Sequence, residues 1–237
     1  MNVVSIPEKD LQKMTVYCFD VLLNYFNKDY QLVKPTLSQS YIAYPLFITI
    51  NNPSNPAKLR GCIGTFEKDS NKTIFDHLQE YTIQSAFYDS RFAGNHITQQ
   101  ELVEIELSVS LLDDDKPTTS IDDWTIGKDG IKVSFRNNNR THRGTFLPEV
   151  ATEQEWDKQT TIEKLIKKTG YYGQIDDDFL KTITLLKYAS NKYSMTFLQF
   201  KEYKKKLFPI VSPIPQSVNT IAQYLTYFGI SYLLLFM

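Results

Sequence analysis

Within LRGCIGTF, residues 59–66, one cysteine stands between two glycines, two positions after an arginine. The stretch reads as a short strand, so its side chains alternate between faces. Leu59 and Ile63 then point to a core, and Arg60, Cys62 and Gly64 to the other side. Arg60 and Cys62 are expected about 6–7 Å apart along the backbone. A guanidinium near a thiol favours thiolate, the nucleophilic form. Cys62 is therefore the candidate nucleophile and Arg60 its electrostatic activator, with Gly64 leaving room beside the sulfur and Gly61 admitting another backbone on the opposite face. The bland alternative is a buried packing cysteine in a strand whose glycines mark a bulge or bend.

Other groups are candidates for supporting roles. Asp89 and Arg91, in SAFYDSRF, close the second helix as an ordinary ion pair or as a substrate anchor. Glu149 follows Pro148, where a strand must break. Its plain role is to complement a helix N-terminus, and its sharper role is a general base beside Cys62. The three histidines, His77, His96 and His142, show no metal-ligand spacing, so no metal is expected. His142 between Arg140 and Arg143 is a weak candidate for carrying a proton. No phosphate-cradling glycine loop is present, and the cofactor is unknown. RNNNRTHRG, with Lys132 and Arg136 upstream and Phe135 and Phe146 nearby, would suit single-stranded nucleic acid if it were not simply a solvated hairpin tip. A net charge of −1 disfavours nucleic acid as the partner. An unidentified small molecule or protein remains.

These groups need a scaffold, and 237 residues with 42% hydrophobic and 22% charged content can bury a core. The two cysteines, Cys18 and Cys62, are too few for a disulfide framework. With no basic and apolar leader at the start, they suit a reducing compartment, cytoplasm or nucleus. Residues 8–27 repeat apolar positions at helical spacing, with Cys18 on the core stripe. Strands are expected at 46–51 and 58–66, joined across NNPSNPAK, and a helix at 73–90. Thr98 and Glu101 have capping-box spacing before a short helical turn. EIELSVSLL, 104–112, alternates cleanly as a half-buried strand, and Ile131, Val133 and Phe135 alternate again before a turn at RNNNR. A strand around 145–147 follows. Thr160 and Glu163 have capping-box spacing, with Gly170 as the stop. Strands are expected at 181–188 and 194–200. Irregular alternation of helices and strands predicts an α+β fold with a mostly antiparallel sheet flanked by helices.

The domain is expected over 8–206, followed at 207–237 by a tail without a charged residue, stiffened by Pro209, Pro213 and Pro215. Its last part, 218–237, could cross roughly 30 Å as a helix. A membrane anchor and a terminal helix docked on the domain are both open readings.

LRGCIGTF resembles the hallmark of the AMMECR1 family, and the likeness continues in order. It runs through YCFDVL (17–22), YPLFITI (44–50), SAFYDSRF (85–92), ELVEIELSVSLL (101–112), DDWTIGKDGIKVSF (122–135), TFLPEVATEQEWDK (145–158) and TIEKLIKKTG (161–170). The resemblance implies a two-lobed α+β domain with the cysteine motif at a cleft. It also implies an unsettled biochemical role, and bacterial relatives encoded beside Memo-like and radical-SAM proteins suggest a metabolic or modification pathway. On this basis the expected function is the handling of a small molecule or a modification through Cys62. A non-catalytic binding or scaffold module is the alternative. Two departures stand out: many relatives carry His at Asp129 and Arg at Lys187, and the latter exchange loses two-pronged anion binding.

Overall fold

The computed structural model describes residues 6–54 and 59–207. In chain order the elements are α1 (Glu8–Phe26), β1 (Ile42–Ala43), β2 (Leu46–Asn51), β3 (Leu59–Thr65), β4 (Asp69–Thr73), α2 (Ile74–Phe87), β5 (Glu106–Leu112), β6 (Lys116–Pro117), β7 (Asp129–Asn137), β8 (Arg140–Phe146), α3 (Pro148–Glu153), α4 (Lys158–Lys168), α5 (Asp177–Leu180), β9 (Thr184–Thr196) and α6 (Phe197–Leu207). Short 3-10 turns span Ser90–Phe92 and Gln100–Glu104. The fold is α+β, and its β2–β3, β7–β8 and β7–β9 pairings are antiparallel. The described residues divide into two compact units, a larger one within 6–110 with 192–207 and a smaller one from 111–191. The boundaries fall within β5 and β9.

In the larger unit the strand order is β3–β2–β5, with β3 at the end. Helix α1 is buried around much of its circumference. Met14, Tyr17, Cys18, Phe19 and Leu22 are all solvent-free. Phe19 meets Phe197 and Phe200 of α6 at ring separations of 5.8 and 5.0 Å. Two carboxylates are drawn into this core and satisfied there. Asp10 accepts from the Ser38 N–H and the Tyr41 hydroxyl, and Asp20 accepts from the Tyr30 hydroxyl and the Lys204 ammonium. Helix α2 opens at Thr73, whose N–H and hydroxyl donate to Asp76 at 2.8 and 2.7 Å. It lies hard against β3: a side chain at Gly61 would run into the Ser85 carbonyl. The small residues Gly61 and Ser85 thus set how closely helix and strand approach.

In the smaller unit the first part of β9 pairs with β6 on one side and β7 on the other. Strands β7 and β8 form a hairpin whose register ends at Asn137 opposite Arg140. The two loop residues, Asn138 and Asn139, have φ of 47° and 59°, the left-handed pair that a two-residue hairpin turn requires. One face of the hairpin joins α4 in a core containing Ile131, Val133, Phe135, Ile162, Leu165, Ile166 and Leu185. Phe135 and Phe146 face this core, and Arg136 and Arg143 stay exposed. The aromatic stacking surface expected beside these arginines is therefore spent on packing. His142 is also inward, stacked on Phe135 at 4.9 Å with Nδ1 3.2 Å from the Thr169 carbonyl, so it is part of the core.

The helix expected at 73–90 ends at Phe87. Helix α4 starts earlier than its expected box, because Asp157 caps it by accepting from the Thr160 N–H at 2.7 Å. The two strands expected at 181–188 and 194–200 are one strand, β9, and Phe197 begins a helix. The overlooked signal is Thr196 with Gln199: the Gln199 side-chain oxygen accepts from the Thr196 N–H at 2.8 Å, a capping box of Thr/Gln type. Among the described residues no helix is long and apolar enough to cross a membrane. The readings of the tail, 207–237, fall from residue 208 onward outside the described residues.

The contact of Gly61 with α2 yields a test. Gly61→Ala forces β3 away from backbone that cannot rotate aside, and is expected to cost about 1–3 kcal/mol. The midpoint of urea unfolding should fall accordingly; an unchanged midpoint would show that the helix can move freely.

Candidate functional site

The β2–β3 ladder sets Thr49 opposite Cys62 and Phe47 opposite Gly64. Between Ile50 and Asn51 the register slips: Gly61 faces Ile50, Leu59 faces Asn51, and Arg60 is the extra residue of a bulge. The alternation that would place Arg60 beside Cys62 does not run through a bulge. Arg60 is instead nearly buried and grips Glu101, Nε to one carboxylate oxygen at 2.5 Å and Nη2 to the other at 3.0 Å. Nη2 also donates to the Asn95 carbonyl at 3.1 Å. This two-pronged geometry is the strongest form of arginine–carboxylate pairing. Burial opposes the charge on Glu101, but Arg60 overcomes it and holds the carboxyl below its usual range. Arg60 is therefore a brace between β3 and the 3-10 turn at Gln100–Glu104, which corrects its expected role as activator of the thiol.

The cation near Cys62 is Arg91. As β3 ends the strand order, the outward N–H and C=O of Cys62 have no strand to pair with. Asp89 accepts from the Cys62 N–H at 3.0 Å, and Arg91 Nη2 donates to the Cys62 carbonyl at 3.0 Å. Asp89 and Arg91 are themselves joined, Nε to Oδ1 at 2.9 Å and Nη2 to Oδ2 at 2.6 Å. The Arg91 side chain donating to Asp89, and then the Cys62 N–H, keep the Asp89 carboxyl below its ordinary range. Asp89, foremost, and also the Cys62 side chain raise the pKa of Arg91. The Arg91 side chain is 53% exposed and that of Asp89 only 3%. The Phe92 ring lies 5.8 Å from the Arg60 guanidinium carbon and 5.7 Å from that of Arg91. One ring thus spaces the two cations, at distances where its face attracts both.

Cys62 is a partly buried residue, and the Thr49 hydroxyl oxygen lies 3.3 Å from its sulfur. Ser85 fixes the next residue, accepting from the Ile63 N–H and donating to the Ile48 carbonyl, both at 2.9 Å. Gly64 does not open a space beside the sulfur. A Cβ there would collide with the backbone of Leu46 and Phe47 and meet the Phe47 ring at 2.6 Å. Gly61 is occupied in the same way by Ser85. Cys18, by contrast, is wholly buried, and burial pushes its thiol up to about 12.

Among the expected site residues, Cys62, Asp89 and Arg91 meet directly. Glu149 lies in the smaller unit, in the first turn of α3 after the buried Pro148. Asp129 accepts from the Thr125 N–H at 2.8 Å, and Lys187 pairs with Asp123 at 2.6 Å. That lysine and Thr119 hold the Asp123 carboxyl down at about 2. Among the described residues no cluster of His, Cys, Asp and Glu could hold a metal ion. Sequence reasoning missed Thr49, Ser85 as a backbone ligand, and Glu101 as the partner of Arg60. Thr49 follows only from the hairpin register, and Glu101 only from the bulge.

The two arginines should separate in their energetics. Arg60→Gln strands Glu101 in a nearly closed setting and is expected to cost about 3–5 kcal/mol. Arg91→Gln, at a half-exposed position, should cost about 1–2 kcal/mol. Equal losses by urea unfolding would contradict this division. Asp89 and Glu101 have native carboxyls below their unfolded values, which lie near 4. Their stabilisation is complete above that range and is lost as pH falls through the lower native values. Stability measured downward from pH 5 should therefore drop less steeply in Asp89→Asn than in the parent chain.

The AMMECR1 family profile matches residues 15–193. An uncharacterised protein of Arabidopsis thaliana is 33% identical over 213 residues, covering 88% of this chain and 95% of its own. An uncharacterised protein of Schizosaccharomyces pombe is 32% identical over 192 residues, covering 81% and 95%. The crystal structure of an uncharacterised protein from Pyrococcus horikoshii superposes with a TM-score of 0.63 at 19% identity, covering 80% of this chain and 93% of that one, and shares the fold. With its motif strand, its α+β architecture and a profile match across three-quarters of its length, the chain belongs to the AMMECR1 family.

Proposed function

We propose that this protein handles a small molecule at Cys62, with the thiol as the group that reacts with or contacts it. Arg91 favours the thiolate and Thr49 offers it a hydrogen bond. One observation carries the reading: Cys62 is a partly buried residue beside the half-exposed Arg91, and both of its backbone groups are clamped by Asp89 and Arg91. The clamp meets the backbone needs of an end strand, and in doing so it holds the thiol-bearing residue in one orientation, from which a reacting group gains. The roles formerly expected of Arg60 pass to Arg91, and Gly61 and Gly64 act by shaping the hairpin. A second reading has its own support. The Asp89–Arg91 pair is closed on itself, as the wall of a non-catalytic binding groove would be.

The rate of Cys62 alkylation against pH tests the first reading. Cys18 is buried and stays silent, so the signal comes from one thiol. The half-maximal rate should fall below the ordinary thiol range, near 8.5, and Arg91→Gln should move it upward. A thiol that is closed to reagent, or that titrates ordinarily and ignores Arg91, would leave the binding-groove reading. In that case Cys62→Ser should retain whatever molecule copurifies with the parent chain, as seen by mass spectrometry.

A further inference from the structure

Cys62 shares its sheet face with an aromatic surface. Thr49 is directly opposite Cys62, Gly64 is two residues along, and Phe47 is opposite Gly64. Positions two apart on a strand, and directly opposed across a ladder, lie on one face. The reverse face, with Ile48, Ile50 and Gly61, is buried, and Gly61 lies under Ser85 of α2. On the Cys62 face the bare Gly64 lets the Phe47 ring lean across β3. Phe66, just past the strand, meets Phe47 at 4.9 Å with the rings tilted by 58°. Both rings are only half-buried. The sulfur therefore sits between two different surfaces. Along the strand, about 7 Å away, is a pair of phenyl rings. At its own backbone is Arg91, engaged with Asp89 through Nε and Nη2 yet more than half exposed.

We infer that the molecule handled at Cys62 has a flat apolar body that lies on Phe47 and Phe66 and an anionic group that meets Arg91. This rests on the reading of Cys62 given above and adds the class of ligand. Aromatic rings recognise planar apolar groups by stacked or edge contacts, and a guanidinium recognises carboxylate or phosphate oxygens through its planar donors. An aliphatic cation would meet the like charge of Arg91 and lack the planar apolar body that stacks on the rings.

Three disulfide probes test the inference on the full chain: dithiobis(nitrobenzoate), which is aromatic and anionic; hydroxyethyl disulfide, neutral and aliphatic; and cystamine, cationic and aliphatic. In each case the Cys62 thiolate attacks one sulfur, a mixed disulfide forms, the probe's S–S bond breaks, and the other half leaves as a thiolate. Rates are divided by those of a short unstructured cysteine peptide, which removes each probe's intrinsic reactivity. Cys62→Ser supplies the blank. The anionic aromatic probe should be favoured by about tenfold over either aliphatic one. Phe47→Leu and Phe66→Leu should each reduce the aromatic preference, and Arg91→Gln the anionic one, with circular dichroism confirming that each variant is folded. If Cys62 reacts but ranks the probes as the peptide does, the ligand class is wrong and the thiol reading stands. If Cys62 is inert to all three, the reading of the site itself fails, and the inference with it.

Discussion

An end strand cannot leave its outward backbone groups unpaired where they are shielded from water, and in this chain that requirement organises the motif region. Asp89 and Arg91 satisfy the outward N–H and C=O of Cys62, while Ser85 bridges the inward Ile63 N–H and the Ile48 carbonyl of β2. All three come from the end of α2 or the turn after it. Helix α2 can supply them only because Gly61 lets the Ser85 carbonyl lie against β3. Remove that close approach and the three partners retreat together. The fixation of the Cys62 backbone and the nearby charge both depend on where α2 ends against β3.

Two arginines lie around the motif, and the fold gives them opposite tasks. Arg60, pushed out of the ladder by the bulge, spends its donors on Glu101 and Asn95. Arg91 also pairs with a carboxylate but keeps half its surface in solvent. A buried two-pronged ion pair adds little net stability over apolar packing, yet it fixes geometry, because breaking it is expensive. Here it anchors the base of β3, the fixed point from which the Cys62 clamp is built. Phe92, close to both guanidiniums, lets the two cations occupy neighbouring positions.

Local signals announced much of the architecture. The helical stripe of α1, the alternation in β7 and the paired asparagines of the β7–β8 turn each carry their conformation within a few residues. Segment β5 is a strand as its alternation predicts but not a half-buried one, since Ser108 and Ser110 on its polar face are buried too. The α6 helix was legible too, in the spacing of Thr196 and Gln199, but the β-forming run before it masked the change of period. In the site, Cys62, Asp89 and Arg91 were legible as residue types, and Gly61 as a place of close backbone approach. The pairing was not. Alternation counts residues along one strand, and a bulge inserts a residue that such counting cannot see.

The sequence by itself determined the class of fold, the family, the strand that bears the thiol and the small residues that let a helix press against it. These are properties of composition, periodicity and motif order, all written along the chain. The tertiary structure alone decided which guanidinium lies against Cys62. That choice depends on the register of β3 against β2 and on where the chain leaves α2, and both are settled by hydrogen bonds between residues some 13 to 41 positions apart. An arginine two residues away was turned aside by a bulge, and one 29 residues away was brought in by a helix end. Distance along the chain sets the entropy cost of a contact; the backbone groups left without partners set which contact is worth making.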